Sequence, residues 1–143
     1  MTFAEEMYKQ REDSHRKEKD FVHNLFLIGL IMDAMRKNKN TRCFNNWKYA
    51  GYTEFGEGRA CLSPDMTFWF QERINPGLNW NVIKSLIEEE VSQADLGLKT
   101  FNVTIIESNQ IIKEKDYGVD FFGRPKYKSI PVLVREISLS ASW

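Results

Sequence analysis

Trp47-Lys48-Tyr49-Ala50-Gly51-Tyr52-Thr53-Glu54-Phe55 is the stretch on which the fold class turns. Trp47, Tyr49, Gly51, Thr53 and Phe55 occupy every second position, the period of a half-buried strand. Gly56-Glu57-Gly58 then predicts a hairpin turn into a strand over Arg59–Leu62. Ser63-Pro64-Asp65 predicts a second turn, and Thr67–Ile74 a third strand with Phe68, Phe70 and Ile74 on one side. Asn75-Pro76-Gly77 closes this three-strand meander.

Upstream the period is that of a helix. Phe21, Leu25, Ile28 and Met32 form one stripe, with Val22, Phe26 and Gly29 beside it and Leu27, Leu30 and Ile31 completing a nearly all-round apolar surface. Such a helix is either wrapped by the sheet or packed against a second copy. Basic residues before Asn38-Lys39-Asn40 suit its C-terminal dipole. Between Glu5 and Asp20 stand six acids and five bases with no Pro or Gly, a charged segment that is helical or frayed. The chain thus divides into a charged segment, 1–20, and a single α+β domain, 21–143.

Downstream, Asn79 is an N-cap, and Trp80, Ile83, Ile87, Val91 and Ala94 repeat at helical spacing up to a C′ stop at Gly97. Phe101, Val103 and Ile105 alternate, Ser108-Asn109 predicts a turn, and Gln110–Lys115 a returning strand. Gly118, Gly123 and Pro125 mark Asp116–Lys128 as a loop. Ile130, Val132 and Val134 sit on even positions but Ile137 and Leu139 on odd ones, a slip that predicts a β-bulge near Arg135-Glu136. The expected architecture is a long N-terminal helix plus one internal helix, packed on a mostly antiparallel sheet of five or six strands.

A chain of 143 residues with 42% hydrophobic residues fits one globular domain. Twenty basic residues balance twenty acidic ones, so the strongly basic signature of many nucleic-acid binders is missing. No signal-peptide pattern opens the chain, and Phe21–Met35 is too short and too often interrupted to cross a bilayer. A cytoplasmic protein with reduced Cys43 and Cys61 and no membrane contact is expected.

Catalytic patterns are sparse. His15, His23, Cys43 and Cys61 lack zinc-site spacing. There is no nucleophile elbow, and Gly56-Glu57-Gly58 lacks the third glycine of a phosphate loop. Pro64-Asp65 has no downstream acid-x-Lys partner, so a metal-dependent nuclease around Asp65, Asp116 and Asp120 is the least favoured reading. The chain is expected to be no enzyme and to need no cofactor or metal.

Two segments combine cations with aromatics. Arg36, Lys37, Lys39, Arg42, Trp47 and Lys48 lie in a run without an acid between Asp33 and Glu54. Phe121, Phe122, Arg124, Lys126 and Lys128 lie in the predicted loop, where alternation exposes at least one of the adjacent phenylalanines. Cations bind phosphate, and aromatics stack on bases or anchor in a partner's pocket. As partner-binding candidates the two segments suit a protein surface, or else a divided phosphate track.

The run Trp47, Tyr49, Phe55-Gly56, Arg59, Leu62-Ser63, followed by Leu78-Asn79-Trp80 opening a helix through Val82-Ile83, resembles small phage-encoded anti-CRISPR proteins that inhibit a Cas nuclease. That resemblance covers less than half the chain. It implies a compact α/β domain that acts by binding a host protein or ribonucleoprotein complex. Those proteins carry a strongly basic N-terminal tail, whereas residues 5–20 here are charge-balanced. The function expected is a non-enzymatic interaction domain, as monomer or helix-mediated dimer; the alternative is a small nucleic-acid-binding domain.

Overall fold

A computed structural model describes residues 2–51, 60–119 and 121–143, without the side chains of Tyr8, residues 10–14, Tyr117 and Val119. Tyr52–Phe55, the glycine turn at 56–58, Arg59 and Asp120 lie outside the described residues. The fold is α+β with a five-stranded antiparallel sheet.

The N-terminal helix is not one long rod. It comes as α1 (Phe3–Ser14), α2 (Arg16–His23) and α3 (Leu27–Lys37). His15 interrupts the first junction, and Phe26 takes φ +54° at the second, a left-handed conformation unusual for a bulky residue. That break resets the inward stripe. Leu27, Ile31 and Ala34 are buried in α3, whereas Met32 of the expected stripe is exposed. α3 therefore packs one face only and ends where expected, with Asn38 Nδ2 donating to the Ala34 carbonyl.

α4 (Trp80–Gln93) starts at Asn79, whose side-chain oxygen accepts from the Asn81 and Val82 amides. Ile83, Ile87 and Val91 form its buried stripe. The helix stops two residues earlier than Gly97 suggests, because Asp95 itself takes the left-handed position after the Ala94 cap. α2 packs on α4, and buried Glu18 accepts a 2.9 Å hydrogen bond from the Asn79 amide. A residue of the charged N-terminal segment is thus built into the core. Phe21 extends the junction, its ring edge-on to Phe70 at 5.1 Å and Trp80 at 5.3 Å.

β1 (Cys43–Ala50) pairs with β2 (Cys61–Ser63) as a hairpin, but the expected meander goes no further. The third strand shrinks to β3 (Phe70–Gln71) and pairs with the last strand of the chain. β4 (Thr100–Val119) runs straight through the expected Ser108-Asn109 turn, because Ser108 and Asn109 pair with Val134 and Leu133 of β5 (Pro125–Ser142). The described residues of 116–128 are strand for most of their length rather than loop, with 121–124 left to turn and Gly123 supplying φ +73°. β5 carries β4 along one side; on the other it carries β1 near its end and β3 at Val134–Arg135.

The predicted bulge at Arg135-Glu136 is not there. β4 and β5 keep one register from Thr100↔Ser142 to Asp116↔Lys126. The slip in period has another origin: the two halves of β5 bury opposite faces, Val132 and Val134 on one and Ile137, Leu139 and Ala141 on the other. A register shift does occur, but in β1 between Phe44 and Trp47, where Asn46 takes φ +54° and its amide donates to Ser140 Oγ.

Leu27, Ile31, Ile83, Ile87, Ile137 and Leu139 are the largest fully buried side chains, the centre of the layer between helices and sheet. An unpaired carboxylate there costs several kcal/mol, comparable with the whole stability of a small domain. Leu27→Asp is expected to abolish the cooperative thermal transition followed by circular dichroism. A folded Leu27→Asp protein would place α3 outside the core.

Candidate functional site

Once β5 passes Leu133, whose carbonyl accepts from the Glu72 amide, β4 is its only neighbour among the described residues. From there to Pro125 the hairpin runs on as a two-stranded arm about 25 Å long at ordinary strand rise. Lys113–Asp116 and residues 121–129 are exposed. Pro125 and Pro131 fall on this outer half of β5, where a missing amide disturbs the ladder least.

The two faces of the arm differ. On one, Glu114 stands opposite Lys128 and Asp116 opposite Lys126, so charges compensate across the strands. Arg73 adds a 3.5 Å contact to Glu114. On the other, Lys115 is opposite Tyr127, Lys113 opposite Ser129 and Ile111 opposite Pro131, with no acid among them. Ile111 is 72% exposed there. At the tip Phe121 and Phe122 are 97% and 78% exposed, their rings edge-on at 5.6 Å, and the Arg124 guanidinium lies 5.8 Å from the Phe122 ring.

The arm leaves the core at Arg135. Its guanidinium pairs with Glu72, reaches Glu107 at 3.6 Å and lies over the Trp80 ring at 5.2 Å. Glu72 also accepts from the Gly77 amide. The hydrogen bond from Arg135, with that amide, holds the Glu72 carboxyl below its ordinary value near 4.5.

The second basic segment sits at the other end of the sheet. The Trp143 amide donates to the Arg42 carbonyl and Cys43 pairs with Ser142, so an 18-residue strand, about 55 Å at ordinary rise, separates this end from Arg124. Arg36 pairs with Asp33 at 2.6 Å, and Lys37, Lys39 and Arg42 are exposed. Trp47 is half-buried with its ring 5.6 Å from Phe44, and Lys48 contacts Glu136 at 3.4 Å. Of the expected partner-binding residues, the structure gathers Phe121, Phe122, Arg124, Lys126 and Lys128 on the arm and leaves the rest apart. Ile111, Lys113, Lys115 and Tyr127 join them. Tyr127 already stands in the Phe121–Lys128 segment of the sequence; only the pairing of β4 with β5 reveals Ile111, Lys113 and Lys115 beside it, because it puts residues far apart in sequence on one face.

Asp65 lies in an exposed turn, and Asp120 lies outside the described residues. Among the described residues no three His, Cys, Asp or Glu side chains gather as a metal site. Among the described residues no helix is long and apolar enough to cross a membrane. The clefts are open: one of about 320 Å³ between α2 and α4 is lined by Lys19, His23, Leu86, Glu89 and Glu90, and another of about 310 Å³ by Glu88, Val91, Leu98, Lys99 and Phe101. Burial pushes the Glu90 carboxyl above its ordinary value, against the opposing effect of His23. Comparison with protein-family models, with curated proteins and with solved structures finds no match to this chain.

The two shifted carboxyls act in opposite directions on stability. Glu72, with its value lowered in the fold, contributes stability above pH 4.5 that is lost as the pH falls through its folded-state value. Glu90, with its value raised, disfavours the fold at neutral pH and ceases to do so as it protonates above 4.5. Glu72→Gln is therefore expected to flatten the loss of melting temperature below pH 4.5, and Glu90→Gln to raise the melting temperature at pH 7. Melting curves across this range check both; parallel profiles for wild type and Glu72→Gln would remove Arg135–Glu72 as the acid-sensitive contact.

Proposed function

We propose that this protein is a non-enzymatic interaction module whose binding element is the β4–β5 arm. The observation that carries this reading is the tip, where Phe121 stands almost wholly in water and Phe122, also exposed, lies beside Arg124. An aromatic side chain contributes large contact area at small entropic cost, and neighbouring cations give a charged rim. A module of this kind acts by occupying a surface and needs no reaction centre. The anti-CRISPR resemblance of residues 44–106 would make that surface part of a host Cas nuclease complex, with inhibition by occupancy. Nucleic acid is the second reading, favoured by the acid-free face carrying Lys113 and Lys115. In that reading the arm acts alone, since the Arg36–Lys48 segment lies at the far end of the sheet.

Exchanging Phe122 and Arg124 together for Ala is expected to change stability by no more than about 0.5 kcal/mol, as for exposed sites. The same double variant is expected to weaken partner binding by about 2 kcal/mol or more, the size of a central anchor. Melting curves and titration against a partner captured from lysate, with and without nuclease treatment, measure both effects. A sharp fall in melting temperature would place the rings in the core, and unchanged binding would take the arm out of the interface.

A further inference from the structure

We infer that the arm's first partner is a second copy of this chain, joined by antiparallel pairing of the two β4 edges about Ile111. This rests on the reading of the arm as the binding element and names what it binds. The outer edge of β4 has no strand beside it among the described residues, from Thr100 to Val119. A long unpaired edge is a template for another strand unless it is blocked. The free stretch of β5 carries Pro125 and Pro131, whereas β4 carries no proline. The exposed edge is thus guarded on one side of the hairpin and left open on the other.

Symmetry and charge select the register. Two β4 strands continuing one sheet are related by a two-fold axis perpendicular to it, so paired residues share a face and the axis passes through a residue. Centring on Lys113, Glu114 or Lys115 would set like charges opposite each other, which is destabilising. Centring on Gln110 or Ile111 sets Glu107 opposite a lysine twice, Lys113 or Lys115 respectively. Only the Ile111 register also places the two exposed Ile111 side chains against one another. In it Asn109 pairs with Lys113 and Val103 with Val119, so each arm lies along the other copy's core.

A second feature agrees with this register. It carries the tip, just past Val119, to the level of Thr100–Phe101 of the other copy. There the 310 Å³ cleft lined by Val91, Leu98 and Phe101 opens. A register chosen on charge and on Ile111 thus brings the exposed tip phenylalanines to the level of a cleft whose lining mixes Val91, Leu98 and Phe101 with Glu88, Ser92 and Lys99.

Sedimentation equilibrium of the full chain at micromolar concentration is expected to give a two-chain mass. Lys115→Glu and Glu107→Lys are each expected to give one-chain masses, with far-ultraviolet circular dichroism confirming the fold. Mixing those two variants is expected to restore a two-chain species, because the acids at positions 107 and 115 of one then face the lysines at positions 115 and 107 of the other. Ile111→Cys is expected to form an intermolecular disulfide under oxidation, and Asn109→Cys is not. A wild-type chain that stays at one-chain mass overturns the inference, as does a dimer indifferent to both charge variants. The arm reading fails separately: it stands if Phe122→Ala with Arg124→Ala loses a captured protein or nucleic acid, and falls if that binding is unchanged.

Discussion

Everything in this fold depends on the unbroken ladder between β4 and β5. One register spans Thr100↔Ser142 to Asp116↔Lys126, yet the environment changes completely along it. At the Ser142 end, β5 lies between β4 and β1 and supplies Ile137 and Leu139 to the core. At the Pro125 end the same two strands stand in water. A two-stranded ribbon alone is marginally stable in water. This one persists because its backbone pairing is continuous with a sheet whose inner half is fixed by apolar burial.

Arg135 marks where one regime gives way to the other. Toward the core its neighbours on the same face are Ile137 and Leu139; toward the tip the face opens to solvent. A half-buried cation needs partners, and this one has Glu72, Glu107 and the face of Trp80. Those partners come from the turn after β3, from β4 and from the first turn of α4. The ion-pair cluster therefore fastens the base of the arm to helix and sheet together. Glu18 does a parallel service for the N-terminal helices, by accepting the Asn79 amide at the start of α4. Both ends of the Trp80 region are thereby held by groups contributed from distant parts of the sequence.

The α+β class, the α4 cap at Asn79 and the buried stripe Ile83, Ile87 and Val91 were legible because local chemistry decides them. A side-chain acceptor at the N-cap and a 3.6-residue period need no tertiary information. The break at Phe26 is not legible, since a left-handed phenylalanine has no local signature. The β5 period slip is visible in the sequence, but its cause is not. Period two reports only which side chain is buried, and a strand that buries opposite faces in its two halves gives the same pattern as a bulge. Glycines at 118 and 123 with Pro125 looked like a long loop, but most of that span is held as strand by pairing across the hairpin. The exposed aromatic pair was within reach of sequence reasoning. The acid-free face formed by Ile111, Lys113, Lys115 and Tyr127 was not, because it exists only through a pairing partner.

The aromatic residues of this chain fall into two sets, one packed and one exposed. Phe21, Tyr49, Phe68, Phe70 and Trp80 form one network at the junction of α2, α4 and the short strands, with ring centroids 4.9–6.0 Å apart. Phe44 and Trp47 make a second contact near the C-terminus. These rings are used up in holding the fold. Phe121, Phe122 and Tyr127 lie beyond Arg135 and are exposed, with no helix packed on them among the described residues. Apolar surface left in water is unfavourable in proportion to its area. The exposure of this tip, on a ribbon fastened at its base, is the physical ground for the docking role proposed above.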